Sequence, residues 1–159
     1  MACDARAAHQ RTHLAFTRST IGQEKEHGVS TVPRLFRVTV EVADLDMAAA
    51  LYSDLLGIDG ERHPGARHYF DCDGVILAVI DVSQGGLMPT PGPKSVYFAV
   101  DDVEAVHARA ARLGVLAPYK AHGEPAGELV ERPWGERSFY VVDPWGNDLC
   151  FCADGTLYT

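Results

Sequence analysis

The sequence predicts an α+β fold built from two βαβββ modules, and three observations lead there. The chain repeats itself, its apolar residues alternate with period two in short runs, and turn residues separate those runs. Residues 38–55 read VTVEVADLDMAAALYSDL and residues 96–113 read VYFAVDDVEAVHARAARL. A constant offset of 58 places Val42 on Val100, Asp44 on Asp102 and Leu55 on Leu113. A fixed internal period means two similar units that must pack together to bury a core.

The first strand is expected over 35–42 (LFRVTVEV), where Val38, Val40 and Val42 face one way and Arg37, Thr39 and Glu41 the other. Asp44 suits a helix N-cap, and Ala48, Leu51, Tyr52, Leu55 and Leu56 then form one apolar stripe up to a stop at Gly57. Strands follow at 67–72 (RHYFDC) and 75–82 (VILAVIDV), with Asp73-Gly74 as a tight hairpin turn between them. The segment 84–93 (QGGLMPTPGP) holds three Pro and three Gly and links the modules.

The second module repeats the plan. A strand is expected over 94–100 and a helix from Asp102 to Leu113, with Val103, Val106, Ala110 and Leu113 as its stripe. Strands are expected over 128–134, 137–142 and 148–152, the last two joined by the turn Asp143-Pro144-Trp145-Gly146-Asn147. The modules span about 33–83 and 94–153 of a single domain, 33–159, and strand-helix-strand order with short hairpins puts the helices on the outer face of mixed sheets. Residues 1–32 carry no sustained apolar period and are expected to be a disordered extension.

Composition excludes some partners. A formal net charge of −8 over 159 residues disfavours nucleic acid and anionic membranes, both of which reward clustered Lys and Arg. No apolar run approaches the roughly 18 residues of a membrane span. No secretory h-region is present, and the four cysteines (Cys3, Cys72, Cys150, Cys152) form no CxxC pair, so a cytoplasmic chain with reduced thiols is expected.

A twofold βαβββ unit, an N-capping Asp after the first strand of each copy, the stretch VADLDMAAALYSDLLGI and the turn in FYVVDPWGN together resemble the vicinal oxygen chelate superfamily. That superfamily includes glyoxalase I, extradiol dioxygenases and bleomycin-resistance proteins. The resemblance covers about 33–158 and implies a curved sheet around a concave pocket, with the helices on the convex side. It also implies a homodimer, since members often complete the pocket that way.

The resemblance further implies four metal-ligand positions, which fall here on Arg37, Ala78, Ser95 and Cys150. Arg is a permanent cation without a lone pair to offer, Ala supplies nothing, and Ser is a poor ligand for a hard divalent ion. The expectation is therefore a member that uses no metal or other cofactor.

Alternation assigns Arg37, Thr39, Glu41, Ser95, Tyr97, Cys150 and Cys152 to the pocket face. Arg37 can offer its planar fork to a carboxylate, a phosphate or an enolate, or else pair with Glu41. Arg132 and Trp134, in 131–135 (ERPWG), are candidates for the pocket mouth, binding an anion and stacking on a planar ligand; Trp134 could equally fill the core. Tyr140 could point to either face. Cys150, with Arg37 nearby, is a candidate thiolate or simply a buried small hydrophobe.

The expected function is binding of a planar or anionic small molecule without a metal. The alternatives are a metal-independent isomerase, epimerase or lyase acting beside a carbonyl, and a metal-dependent lyase or dioxygenase with atypical ligands. Whether the chain is an enzyme stays open at this point.

Overall fold

The computed structural model describes residues 35–157, so the expected extension over 1–32 lies outside the described residues. The first module runs β1 (Arg37–Val42), α1 (Leu45–Leu56), β2 (Glu61–His63), β3 (Arg67–Cys72) and β4 (Val75–Asp81). The second runs β5 (Val96–Val100), α2 (Val103–Leu113), β6 (Lys120–Ala121), β7 (Glu124–Pro125), β8 (Val130–Glu131), β9 (Arg137–Val142) and β10 (Asp148–Ala153). The fold is α+β, with two βαβββ modules, as the repeat predicts.

Each module forms its own four-stranded sheet, ordered β1-β4-β3-β2 and β5-β10-β9-β8. The first pair of each sheet, β1 with β4 and β5 with β10, is parallel and the remaining pairs are antiparallel. A parallel pair needs a crossover, and the helix of each module supplies it. β1 and β5 are thus the terminal strands of their sheets, and no ladder joins them.

The helix starts show why the repeat reads so clearly. Asp44 accepts a hydrogen bond from the Met47 amide at 2.9 Å, and Asp102 accepts one from the Ala105 amide at 2.9 Å. Both satisfy amides that the first turn leaves unpaired. Both helices stop at a left-handed glycine, Gly57 (φ 71°) and Gly114 (φ 70°).

The apolar faces of the two modules merge into one core. Val40, Val42, Tyr52, Leu55, Phe70, Leu77 and Val79 of the first join Val103, Val106, Ala110, Phe139, Val141, Leu149 and Phe151 of the second. Buried polar contacts lock the modules together. Tyr52 donates to Asp143 Oδ2 at 2.9 Å, and Asn147 Nδ2 donates to the Glu41 carbonyl at 3.0 Å while its Oδ1 accepts from the Gly92 amide at 2.8 Å. The Asp-Pro-Trp-Gly-Asn turn is therefore a clasp between modules as well as a connector between strands.

Two details depart from the sequence expectation. The strand expected over 128–134 shrinks to Val130–Glu131, because the chain turns at Arg132, whose carbonyl accepts from the Gly135 amide at 2.8 Å. The small hairpin of β6 and β7 was not anticipated; its residues have no alternation long enough to read.

Candidate functional site

Each sheet has one face on the core; on the second sheet the opposite face holds both polar groups and a small buried cluster of Tyr140, Cys150 and Cys152 with Ala117 and Ala126. On β10 the polar face carries Asp148, Cys150 and Cys152. Across the ladders Cys150 lies opposite Tyr97 of β5 and Tyr140 of β9, and Cys152 lies opposite Ala99 and Ser138. Alternation alone dictates this set. In the first sheet the equivalent row is Thr39, Ala78 and Tyr69.

The second sheet's face forms a hydrogen-bonded network. The hydroxyls of Tyr97 and Tyr140 are 3.1 Å apart. Tyr119 donates to Asp148 Oδ2 at 2.7 Å, and Ser95 Oγ donates to the same oxygen at 3.3 Å. Asp148 Oδ1 is buried without a hydrogen-bond partner. Lys94, Ser95, Tyr97, Tyr119, Lys120 and Asp148 are among the residues lining a cavity of about 710 Å³ here. Burial pushes the Tyr119 phenol well above its ordinary range, helped by the bond to Asp148, and burial and the bond to Tyr97 do the same for Tyr140. Both phenols are neutral donors at physiological pH.

Arg132 lies beneath this face. It is 3 % exposed, with Nε donating to Ser138 Oγ at 3.1 Å and Nη2 to the Ser138 carbonyl at 3.3 Å. Its guanidinium carbon stands 5.3 Å from the centre of the Tyr140 ring, and Nη1 has no hydrogen-bond partner. Arg132 is thus a buried cation packed on Tyr140 and Ser138, where the sequence suggested a mouth residue. Trp134 is 37 % exposed, donates Nε1 to Glu136 Oε2 at 2.7 Å and meets the His122 ring edge-on at 4.6 Å, so it does not fill the core.

The first-sheet candidates lie apart from these groups. Arg37 packs over Tyr69 of its own sheet, 4.7 Å from guanidinium carbon to ring centre, and over Phe36 at 5.3 Å. It makes no ion pair with Glu41, whose Oε2 accepts from the Thr90 amide at 2.9 Å. Thr39 is exposed. Among the described residues no hydrogen bond, ion pair or ring contact links Arg37, Thr39 or Glu41 to Tyr97, Tyr140 or Cys150, and the cation beside Cys150 is Arg132 instead of Arg37. The structure brings together Ser95, Tyr97, Arg132, Tyr140 and Cys150, with Trp134 at the rim.

Sequence reasoning missed Tyr119, Lys120, His122, Ser138 and Asp148. Asp148 and Ser138 were within reach, since alternation along β10 and β9 places them beside Cys150 and Tyr140. Tyr119, Lys120 and His122 lie in or beside the short β6–β7 hairpin, whose residues carry no alternation long enough to read.

The four positions where the superfamily places metal ligands do not fit a divalent cation. Arg37 brings a positive charge, Ala78 is a buried methyl, Ser95 Oγ lies 2.7 Å from the Lys94 carbonyl and 3.3 Å from Asp148, and Cys150 contacts a second thiol. Among the described residues no three His, Cys, Asp or Glu side chains cluster as a metal site would require. No helix among them is long and apolar enough to cross a membrane.

Two βαβββ modules with a polar face opposite the helices define the glyoxalase-like class of fold. Residues 34–151 match the family model of the Glyoxalase/Bleomycin resistance protein/Dioxygenase superfamily, and the chain belongs to that superfamily. Among similar solved structures, the oxidase ChaP-H2 is 26 % identical with a TM-score of 0.62, over 78 % of this chain and 94 % of that one. A lactoylglutathione lyase from Agrobacterium tumefaciens is 22 % identical with a TM-score of 0.57, over 78 % and 96 %. A bleomycin resistance determinant encoded on transposon Tn5 is 18 % identical with a TM-score of 0.55, over 74 % and 95 %. No curated protein matches the chain by sequence.

Proposed function

We propose that this chain binds a planar or anionic small organic molecule, without a metal, on the polar face of its second sheet. The observation that carries this reading is the wall of the cavity over β5 and β10. Tyr97, Tyr119 and Tyr140 line it with aromatic groups, Lys94 and Lys120 with cationic groups, and behind its wall the Arg132 guanidinium packs over the Tyr140 ring. Flat rings and fixed cations are what a conjugated carboxylate needs for stacking and charge pairing. The phenols suit hydrogen bonding better than acid-base chemistry, because Tyr119 and Tyr140, pushed well above their ordinary range, are poor proton donors and in the neutral form are no bases.

We further propose that the site is completed between two copies of the chain. β5 is an edge strand paired only with β10, Tyr97 on it is 56 % exposed, and residues of both its faces line an open cavity of about 810 Å³ with Val38, Leu56 and Leu77. An exposed apolar edge is a template for pairing with another strand. In such a homodimer Arg37, Thr39 and Glu41 of one copy face the aromatic network of the other.

Calorimetry of the purified chain against a panel of aromatic carboxylates, with product analysis of each mixture, tests the reading. Micromolar binding without turnover supports it. Turnover of a bound compound would replace it with the metal-independent isomerase, epimerase or lyase. Stoichiometric metal in elemental analysis would overturn the metal-free part.

A further inference from the structure

Cys150 and Cys152 are not accounted for by ligand stacking. They share the polar face of β10 with sulfur atoms 3.8 Å apart. Their cross-strand partners are Tyr140 and Ser138, and the buried Arg132 engages both, lying over the Tyr140 ring and donating to Ser138 Oγ. One cation with an unspent N–H group thus sits against the surroundings of both thiols. A lone buried cysteine is usually a small hydrophobe. Two thiols in contact beside a buried guanidinium are a different arrangement, because the cation favours one of them as thiolate.

The two sulfurs differ in role. Either sulfur can donate across this contact, and with the proton on Cys150 the Cys152 thiol is held below its ordinary range, Arg132 and Ser138 adding to the effect against burial and the Glu136 carboxylate. The same hydrogen bond, with burial, holds Cys150 protonated. Cys152 is 2 % exposed and lies in the wall of a cavity of about 550 Å³ that Tyr97, His122, Trp134 and Glu136 also line, whereas Cys150 is fully buried.

We propose that Cys152 is a nucleophilic thiol that adds covalently to α,β-unsaturated carbonyl compounds entering this cavity, with Cys150 as its hydrogen-bond donor. The proposal rests on reading this face as the ligand site. The thiolate pair forms a C–S bond at the β-carbon, and the C=C π pair moves onto the carbonyl oxygen as an enolate. The proton lost from the Cys152 thiol returns through solvent to the α-carbon, so the thiol adds across the double bond and nothing is oxidised or reduced. The guanidinium charge opposes the oxyanion, and the aromatic walls suit a flat conjugated system.

Sub-stoichiometric N-ethylmaleimide at pH 6.5, with peptide mapping by mass spectrometry, tests this on the full-length chain in a Cys3→Ser background. Cys152 is expected to label at least about tenfold faster than Cys72 or Cys150, and to lose that advantage in urea. Cys150→Ala, with folding checked by thermal melting, is expected to slow Cys152 at least about threefold. Labelling of Cys152 no faster than Cys72 in the folded chain, or a rate unchanged in Cys150→Ala, would overturn the proposal. Binding of an aromatic carboxylate to Cys152→Ser separates the two ideas. Retained binding with slow labelling sinks the thiol alone, whereas fast labelling with no binding by any panel member sinks the pocket reading alone.

Discussion

Tyr97 and Tyr140 lie on either side of Cys150 in the second sheet, and their hydroxyls meet 3.1 Å apart. In the first sheet the same row reads Thr39, Ala78 and Tyr69, with Arg37 stacked on Tyr69. The duplicated scaffold thus presents two chemically different faces, one aromatic and hydroxylated, the other cationic. A single site using both needs them brought together, and that leads to the first prediction.

Tyr97→Ala and Arg37→Ala are each expected to weaken ligand binding about tenfold. If the site is shared between copies, mixing the two variants and allowing exchange restores native affinity at about a quarter of the sites, since one of the two sites in each mixed dimer is intact. Calorimetric titration of the mixture reads this directly. Tenfold losses that mixing does not relieve would place the site within one chain.

Tyr52→Phe removes the buried bond to Asp143 that ties α1 to the β9–β10 turn. Asp143 keeps three donors, the amides of Trp145 and Asn147 and the Asn147 side chain, so its carboxylate stays paired. The expected loss is about 1–2 kcal/mol in urea denaturation. A loss near zero would mean that the clasp holds through Asn147 alone.

Gly57 and Gly114 end the two helices in the same left-handed conformation but in different company. A Cβ at Gly57 would come 3.3 Å from Arg109 Nη2, whereas at Gly114 it meets nothing within 4 Å. Arg109 Nε also donates to the Leu55 carbonyl at 3.2 Å. Gly114→Ala is expected to cost about 1 kcal/mol from backbone strain, and Gly57→Ala more, because Arg109 must shift as well. Thermal melts of the two variants compare them.

Asp81 supplies a pH-dependent element. Ser83 donates to its carboxylate through Oγ at 2.6 Å and through its amide at 2.9 Å, and these bonds hold the carboxyl below its ordinary range. A depressed folded value means stability that is full above the unfolded value near 3.8 and is lost as pH falls through the lower folded value. Ser83→Ala removes the hydroxyl bond. Its destabilisation is therefore expected to be largest at neutral pH and to shrink as pH drops below about 4. A difference independent of pH would show that Ser83 acts through packing.

Most of the fold was legible because it is written in local rules. Alternation along β1, β5, β9 and β10, the paired capping aspartates and the glycine stops each act within a few residues, and the repeat states them twice. The same rules placed Ser95, Tyr97 and Cys150 on one face. They did not settle which way Tyr140 points, because its environment is set by the strand it pairs with.

The amino-acid sequence by itself determined the superfamily scaffold, the alternating row of each sheet and the identity of the residues, Arg37, Ala78, Ser95 and Cys150, at the positions where the resemblance implies metal ligands. Only the tertiary structure decided that Arg132 is a buried cation beneath Tyr140, that Tyr119 and Asp148 join the site, and that Arg37 stacks on Tyr69 away from Cys150. The physical reason is range. Periodicity and capping are fixed by neighbours three or four residues away, whereas the company of a long side chain depends on the path of segments without a readable period, such as 115–129 with its short hairpin and 132–136, and on which faces the merged core leaves free.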